Sequence, residues 1–216
     1  MYASEKNIYE RLGLRTMEEV EITEEEEDEV VVAPTNFSMV EEGIFRSSFP
    51  RSSNFSFLET LNLRSVVYLC PEPYPQQNLQ FLQSQNIKFF HFGIEGKTDL
   101  SVPAVKDLIL EAVKVLIDVR NHPVLVHCNQ GKHRTGCVIG CFRKLQRWCL
   151  SSVFEEYKKF AGAKSRTTDL SFIETVDLLN LRKCLNSIIY QYLGHSSKKR
   201  KLLYRDDNLK VHLTSV

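Results

Sequence analysis

The segment Pro123-Val124-Leu125-Val126-His127 runs directly into Cys128-Asn129-Gln130-Gly131-Lys132-His133-Arg134-Thr135-Gly136, and this junction constrains the chain most. The apolar run behind a proline predicts a short buried strand. From about Thr135 to Trp148 the pattern predicts a helix. Between them lies a polar loop whose tight path Gly131 permits. A helix N-terminus presents unpaired N–H groups and the positive end of its dipole, so a strand–loop–helix junction of this kind suits an anion, above all a phosphate dianion.

The residues in the loop fit that ligand. Thiols at helix N-termini ionise at about 3.5–7.5 rather than about 8.5, which supplies a thiolate nucleophile at neutral pH, and Cys128 holds that position. Arg134 can grip two phosphate oxygens with its planar fork, as a lysine could not. Asn129, Gln130, Gly131, Lys132 and His133 complete the expected anion cradle. The set needs no metal and no cofactor. Spacing alone does not single out Cys128. Cys137 with Arg143, and Cys141 with Arg147, repeat the same separation. Those copies fall inside an apolar-periodic helical stretch whose N–H groups the helix consumes, so context selects Cys128. Cys137 and Cys141 are expected to pack in the core, on one helix face.

Other elements alternate in type. Ser65 to Leu69 and Ile87 to Phe92 predict strands, while Gln76 to Gln85 and a stretch with Val105, Leu108, Ile109, Ala112, Val113, Leu116 and Ile117 inward predict helices. Ser152-Val153-Phe154-Glu155 has the form of a capping box opening a helix that ends near Gly162. A last helix is expected from about Asp169 to Cys184. Alternating strands and helices indicate an α/β domain.

The 216 residues, 43% of them hydrophobic, suffice for one domain with a real core. We expect an acidic N-terminal segment over 1–33, outside the fold, a globular domain over 34–188, and a basic tail over 189–216. The formal charge of +1 hides opposite runs, Glu24 to Glu29 and Lys198 to Lys201. No apolar run approaches the roughly 20 residues of a membrane span, and no export signal stands at the N-terminus. The six cysteines show no metal-type spacing. These features predict a cytoplasmic protein with reduced thiols, and Lys198–Lys201 admits a nuclear address as well. No nucleic-acid partner is expected, and the oligomeric state is left open.

The loop His127–Gly136 resembles the signature of the protein tyrosine phosphatase superfamily. Its continuation through Arg143-Lys144-Leu145-Gln146 to Trp148 resembles the plant and fungal atypical dual-specificity phosphatases. So do Phe92 to Lys97, Asn121 to Val124, Phe154 to Tyr157 and Lys164-Ser165-Arg166. The similarity covers about Asn36 to Asp177. It implies a compact cysteine-phosphatase fold, a central twisted mixed sheet flanked by helices with Cys128 at its base. It also implies a substrate class, since members of this group cleave the β-phosphate of inositol pyrophosphates. Lys132 and His133 within the loop, with Lys97, Lys164 and Arg166 at its rim, suit a highly phosphorylated small molecule. Lys164 and Arg166 have a second reading, as cations closing a helix.

The superfamily's Trp-Pro-Asp is absent, because the only tryptophan is Trp148. The acid that protonates the leaving oxygen is therefore sought at Asp99 or Glu95, with Asp99 favoured by its separation from Cys128. Asp99 also reads as a helix cap before Pro103. His127 is expected to order the loop, or else to be a satisfied core histidine. Thr135 is expected to bond the thiolate, or simply to begin the helix. Competing functions are a dual-specificity protein phosphatase acting on phosphoproteins, a phosphoinositide phosphatase, and a catalytically dead binding module.

Overall fold

The computed structural model describes residues 31–96, 100 and 102–183. The acidic run, the basic tail, Lys97, Asp99 and Cys184 lie outside the described residues.

The described residues form one five-stranded sheet: β1 (Ser38–Glu41), β2 (Ile44–Ser47), β3 (Ser65–Tyr68), β4 (Lys88–His91) and β5 (Val124–His127). The strand order is β1-β2-β5-β3-β4, antiparallel between β1 and β2 and parallel elsewhere. The α/β expectation of a mixed sheet flanked by helices is thus met. Strand β5 sits at the centre, paired on both sides with β2 and β3. All four of its residues are buried. That explains why Val124-Leu125-Val126 reads as an unbroken apolar run rather than an alternating one. Because β5 is central and parallel to both neighbours, the loop after it emerges between the C-terminal ends of β2 and β3.

Among the described residues these α-helices accompany the sheet: α1 (Phe55–Thr60), α2 (Gln76–Ser84), α3 (Pro103–Ile117), α4 (His133–Leu145), α5 (Leu150–Ala161) and α6 (Thr167–Thr175). Helix α4 packs against α3, α5 and α6, and it is buried along most of its length. Its small residues allow that. A methyl group on Gly136 would come within 2.8 Å of the Tyr157 ring, and one on Gly140 within 2.6 Å of Ile173. The helices α5 and α6 therefore approach α4 at the two positions where it lacks a side chain.

Two expected boundaries are corrected. The helix assigned to Ser152 begins at Leu150, with Cys149 as its N-cap and no capping box. The hydroxyls of Ser151 and Ser152 close on the Cys149 sulfur, at 3.3 and 3.1 Å, rather than on a backbone N–H. The helix expected from Asp169 to Cys184 begins at Thr167 and stops at Thr175. Lys144, reaching across from α4, donates to the carbonyls of Ile173, Glu174 and Val176 and so satisfies the helix end. The chain is helical again from 179.

Candidate active site

Strand β5 delivers Cys128 to the base of a loop, where it is buried. Four successive carbonyls of this loop are held by donors from elsewhere in the structure. The Asn129 carbonyl accepts from Phe49 N–H at 3.1 Å and that of Gln130 from Asn36 Nδ2 at 2.9 Å. The Gly131 carbonyl accepts from Arg46 Nη2 at 2.8 Å, and that of Lys132 from Gly136 N–H in the first turn of α4, also at 2.8 Å. In a planar trans peptide the N–H points opposite to its carbonyl. Pinning four carbonyls outward therefore leaves the N–H groups of the next residues, Gln130 to His133, on the concave side. Successive N–H groups turned to one side are the arrangement that an anion nest requires.

Gly131 makes the path possible. Its φ is +66°, and a Cβ there would meet the Ser47 carbonyl at 2.5 Å. Strain and collision both exclude a side chain.

Arg46 was not singled out by sequence reasoning, because nothing in β2 signals that its arginine turns inward. It is only 1% exposed. Its guanidinium stacks 3.7 Å from the Phe160 ring centre while donating to Gly131. Burial drives its pKa down to about 10, with Glu156 and Cys128 opposing. It therefore stays charged at neutral pH, a fixed cation beneath the loop. Its Nε and Nη1 find no hydrogen-bond partner among the described residues.

Arg134, half-buried, donates through Nη1 to the Ile94 carbonyl at 3.0 Å, and Arg166 Nη1 donates to the Gly96 carbonyl at 2.9 Å. The chain leaving β4 thus supplies the carbonyls that aim both arginines. Arg166 is thus held by a specific hydrogen bond to the same segment that aims Arg134. Glu95 lies exposed between those two carbonyls. Lys97 and Asp99 continue the same segment outside the described residues. Lys164 ends the 3₁₀ turn Gly162–Lys164 on another flank of the loop, together with Lys132.

His133 is oriented by groups the sequence did not reveal. Its Nδ1 lies 3.1 Å from Asp169 Oδ2 and 3.1 Å from the Tyr157 hydroxyl. Tyr157 donates to the same carboxylate oxygen at 2.5 Å, so the imidazole Nδ1–H also points to Asp169. Burial, together with Arg166 and Lys132, lowers the His133 pKa against the opposing pull of Asp169. The neutral imidazole is thereby favoured. Asp169 is 3% exposed, and only its place at the start of a helix was legible in the sequence.

Three neighbouring groups depart from expectation or refine it. Thr135 does not bond the Cys128 sulfur: its hydroxyl is buried in the first turn of α4 without a hydrogen-bond partner among the described residues. His127 is a core histidine satisfied on one side only: its Nε2 lies 3.1 Å from the Tyr74 hydroxyl and its ring stands edge-on to Phe49, while its buried Nδ1 has no hydrogen-bond partner among the described residues. Cys70, overlooked in the sequence, accepts a hydrogen bond from Asn129 N–H at 3.1 Å. Burial raises Cys70 to about 11 against the pull of Arg134. Cys137 and Cys141 are buried in α4, and burial raises both, Cys141 to about 12. They remain inert thiols, and the repeated Cys–Arg spacing is without chemical meaning.

Replacing Arg46 by leucine removes the donor that holds the Gly131 carbonyl. We expect turnover to fall by about 10²-fold, the scale of a misplaced reacting geometry, with the helical circular dichroism retained. Steady-state kinetics checks this, and unaltered turnover would contradict it. A second expectation concerns pH. Burial lowers the His127 pKa to about 3, whereas an unfolded imidazole titrates near about 6.5. Between these values the unfolded chain binds a proton that the folded chain refuses, so stability falls as pH drops from about 6.5 towards 3. Urea midpoints should show a shallower fall for His127→Gln than for the parent protein, with His133 leaving part of the slope in both.

The comparisons with known proteins agree with this fold. Residues 31–196 match the model of the Tyrosine phosphatase family. Over 189 residues the chain is 61% identical to the inositol diphosphatase DSP3 of Arabidopsis thaliana, covering 88% of this chain and 93% of that protein. It is 58% identical over 152 residues to the inositol diphosphatase DSP2 of Oryza sativa subsp. japonica, covering 70% of this chain and 74% of the other. Among solved structures it resembles the core catalytic domain of the PP-IP phosphatase SIW14 from S. cerevisiae, in complex with citrate. The TM-score is 0.67 and the identity 47%, over 71% of this chain and 92% of that one. The chain belongs to the tyrosine phosphatase family.

Proposed function

We propose that this protein is a cysteine-dependent phosphatase that removes the β-phosphate of inositol pyrophosphates. The observation that carries the reaction is the loop over Cys128, whose outward-held carbonyls leave a nest of N–H groups facing inward. The names of the similar proteins, inositol diphosphatases among them, support the substrate class.

In this reading the Cys128 thiolate attacks the terminal phosphorus. An S–P bond forms as the bridging P–O bond breaks, and the inositol phosphate leaves. The charge that develops on the transferring group is met by the nest and by the fork of Arg134. Water then cleaves the S–P bond, releasing phosphate and restoring the thiolate. Asp99 is the proposed donor of the proton to the leaving oxygen, with Glu95 as its alternative. A phosphate leaving group is stabilised on its own, so the acid matters less here than with an alkyl phosphate. Lys132 and His133 within the loop, with Lys164, Arg166 and Lys97 around it, are the proposed contacts to the remaining phosphates.

Phosphate release from inositol pyrophosphates, phosphopeptides and phosphoinositides, assayed side by side, tests the proposal. The pyrophosphates should give the highest kcat/KM, and Cys128→Ser should release nothing from any of them. Asp99→Asn should slow an aryl phosphate more than a pyrophosphate. Preference for phosphopeptides or lipids would overturn the substrate assignment, and activity retained in Cys128→Ser would overturn the mechanism.

A further inference from the structure

A groove of about 730 Å³ opens beside the signature loop, bounded by elements other than those that hold Arg134. Its floor includes Asn129, Gln130 and Lys132. Its walls come from the chain around 32–36, the segment 48–54 after β2, and Lys164. Among the described residues three cations line it, Arg51, Lys132 and Lys164, and no acidic residue does. Among the described residues none of the three forms an ion pair. A concavity lined by charge of one sign concentrates ligands of the other, and the volume suits a small molecule rather than a single phosphate.

The segment carrying Arg51 is fixed in place. Arg51 N–H donates to Asn54 Oδ1 at 2.8 Å, and Asn54 Nδ2 donates to the Val32 carbonyl at 3.0 Å. The wall is tied to the loop itself, through Phe49 N–H to the Asn129 carbonyl and Asn36 to the Gln130 carbonyl. The bonds that hold the nest open therefore also set the groove's position against it. Lys132 belongs to both. Arg166 does not line the groove, so the cations around the loop fall into two sets with separate supports.

We infer that this groove is the subsite for the ring phosphates remote from the one transferred to Cys128, and that Arg51 determines specificity for polyphosphorylated substrates. This rests on the proposed reaction. It adds Arg51 to the substrate contacts and assigns Lys132 and Lys164 to the distal phosphates. A simple aryl phosphate fills the nest and leaves the groove empty, so Arg51 distinguishes the two kinds of substrate.

The test uses the full chain and inositol hexakisphosphate, which has no pyrophosphate bond and reports binding without turnover. Titration calorimetry should show Arg51→Glu weakening its binding by about tenfold or more, and Arg51→Gln by about threefold, as expected for loss of a charge-assisted contact. Lys88→Glu is the matched charge reversal. Lys88 is exposed at the N-terminal end of β4, the far end of the strands from the loop, and its effect should stay below about twofold once salt screens distant charges. With the pyrophosphate substrate, Arg51→Glu should raise KM at least about fivefold more than it does with an aryl phosphate. Equal losses for Arg51→Glu and Lys88→Glu, or equal KM changes for both substrates, would overturn the subsite. If hexakisphosphate binding depends on Arg51 while no inositol pyrophosphate is hydrolysed, the proposed reaction fails and the binding site stands. If the pyrophosphate is hydrolysed and Arg51→Glu matches Lys88→Glu, the reaction stands and the subsite fails.

Discussion

The outward anchoring of the carbonyls of Asn129 to Lys132 is the constraint on which the rest of the site depends. An isolated loop would let those peptides rotate, and each rotation would turn a carbonyl oxygen towards the phosphate. Here the donors come from four places: the chain before β1, β2 itself, the segment after β2, and the first turn of α4. Central placement of β5 makes this possible, because β2 lies directly beside it. The fold thus holds a concave backbone ready before any ligand arrives, which is how preorganised dipoles stabilise a transition state without reorganising.

Charge is arranged to the same end. Arg46 is buried beneath the loop at an electrostatic cost, offset by its ring stack on Phe160, its bond to Gly131 and the nearby Glu156. His127, adjacent to Cys128, is held neutral by burial. His133 is oriented by Asp169 and Tyr157, which also join α5 and α6 to the loop. The packing that places them is close. Gly136 and Gly140 let α5 and α6 lie against α4 at distances no side chain would allow.

Local patterns made the catalytic junction legible. An apolar run, a glycine-bearing polar loop and a helical period fall in consecutive residues, so the strand-to-helix setting of Cys128 could be read directly. What supports the loop could not. Arg46, Cys70 and Asp169 lie 41 to 82 residues from Cys128 in sequence, and nothing local marks them as its neighbours. Ser152 shows the converse failure: it carried a capping signal, but its hydroxyl found the Cys149 sulfur. The helix end at Thr175 was hidden for a related reason, since the lysine that closes it belongs to α4. Short-range chemistry announces itself in a sequence, whereas the side chains that hold it in place are recruited across the fold.

The central claim is that this loop presents the Cys128 sulfur as the nucleophile. It is tested most directly by rapid quench of the enzyme with an inositol pyrophosphate carrying radioactive phosphorus in its β-phosphate. The account predicts a transient protein-bound label that peptide mapping places on Cys128 and that decays as free phosphate appears. Turnover with no protein-bound label, or label on any other residue, would contradict it.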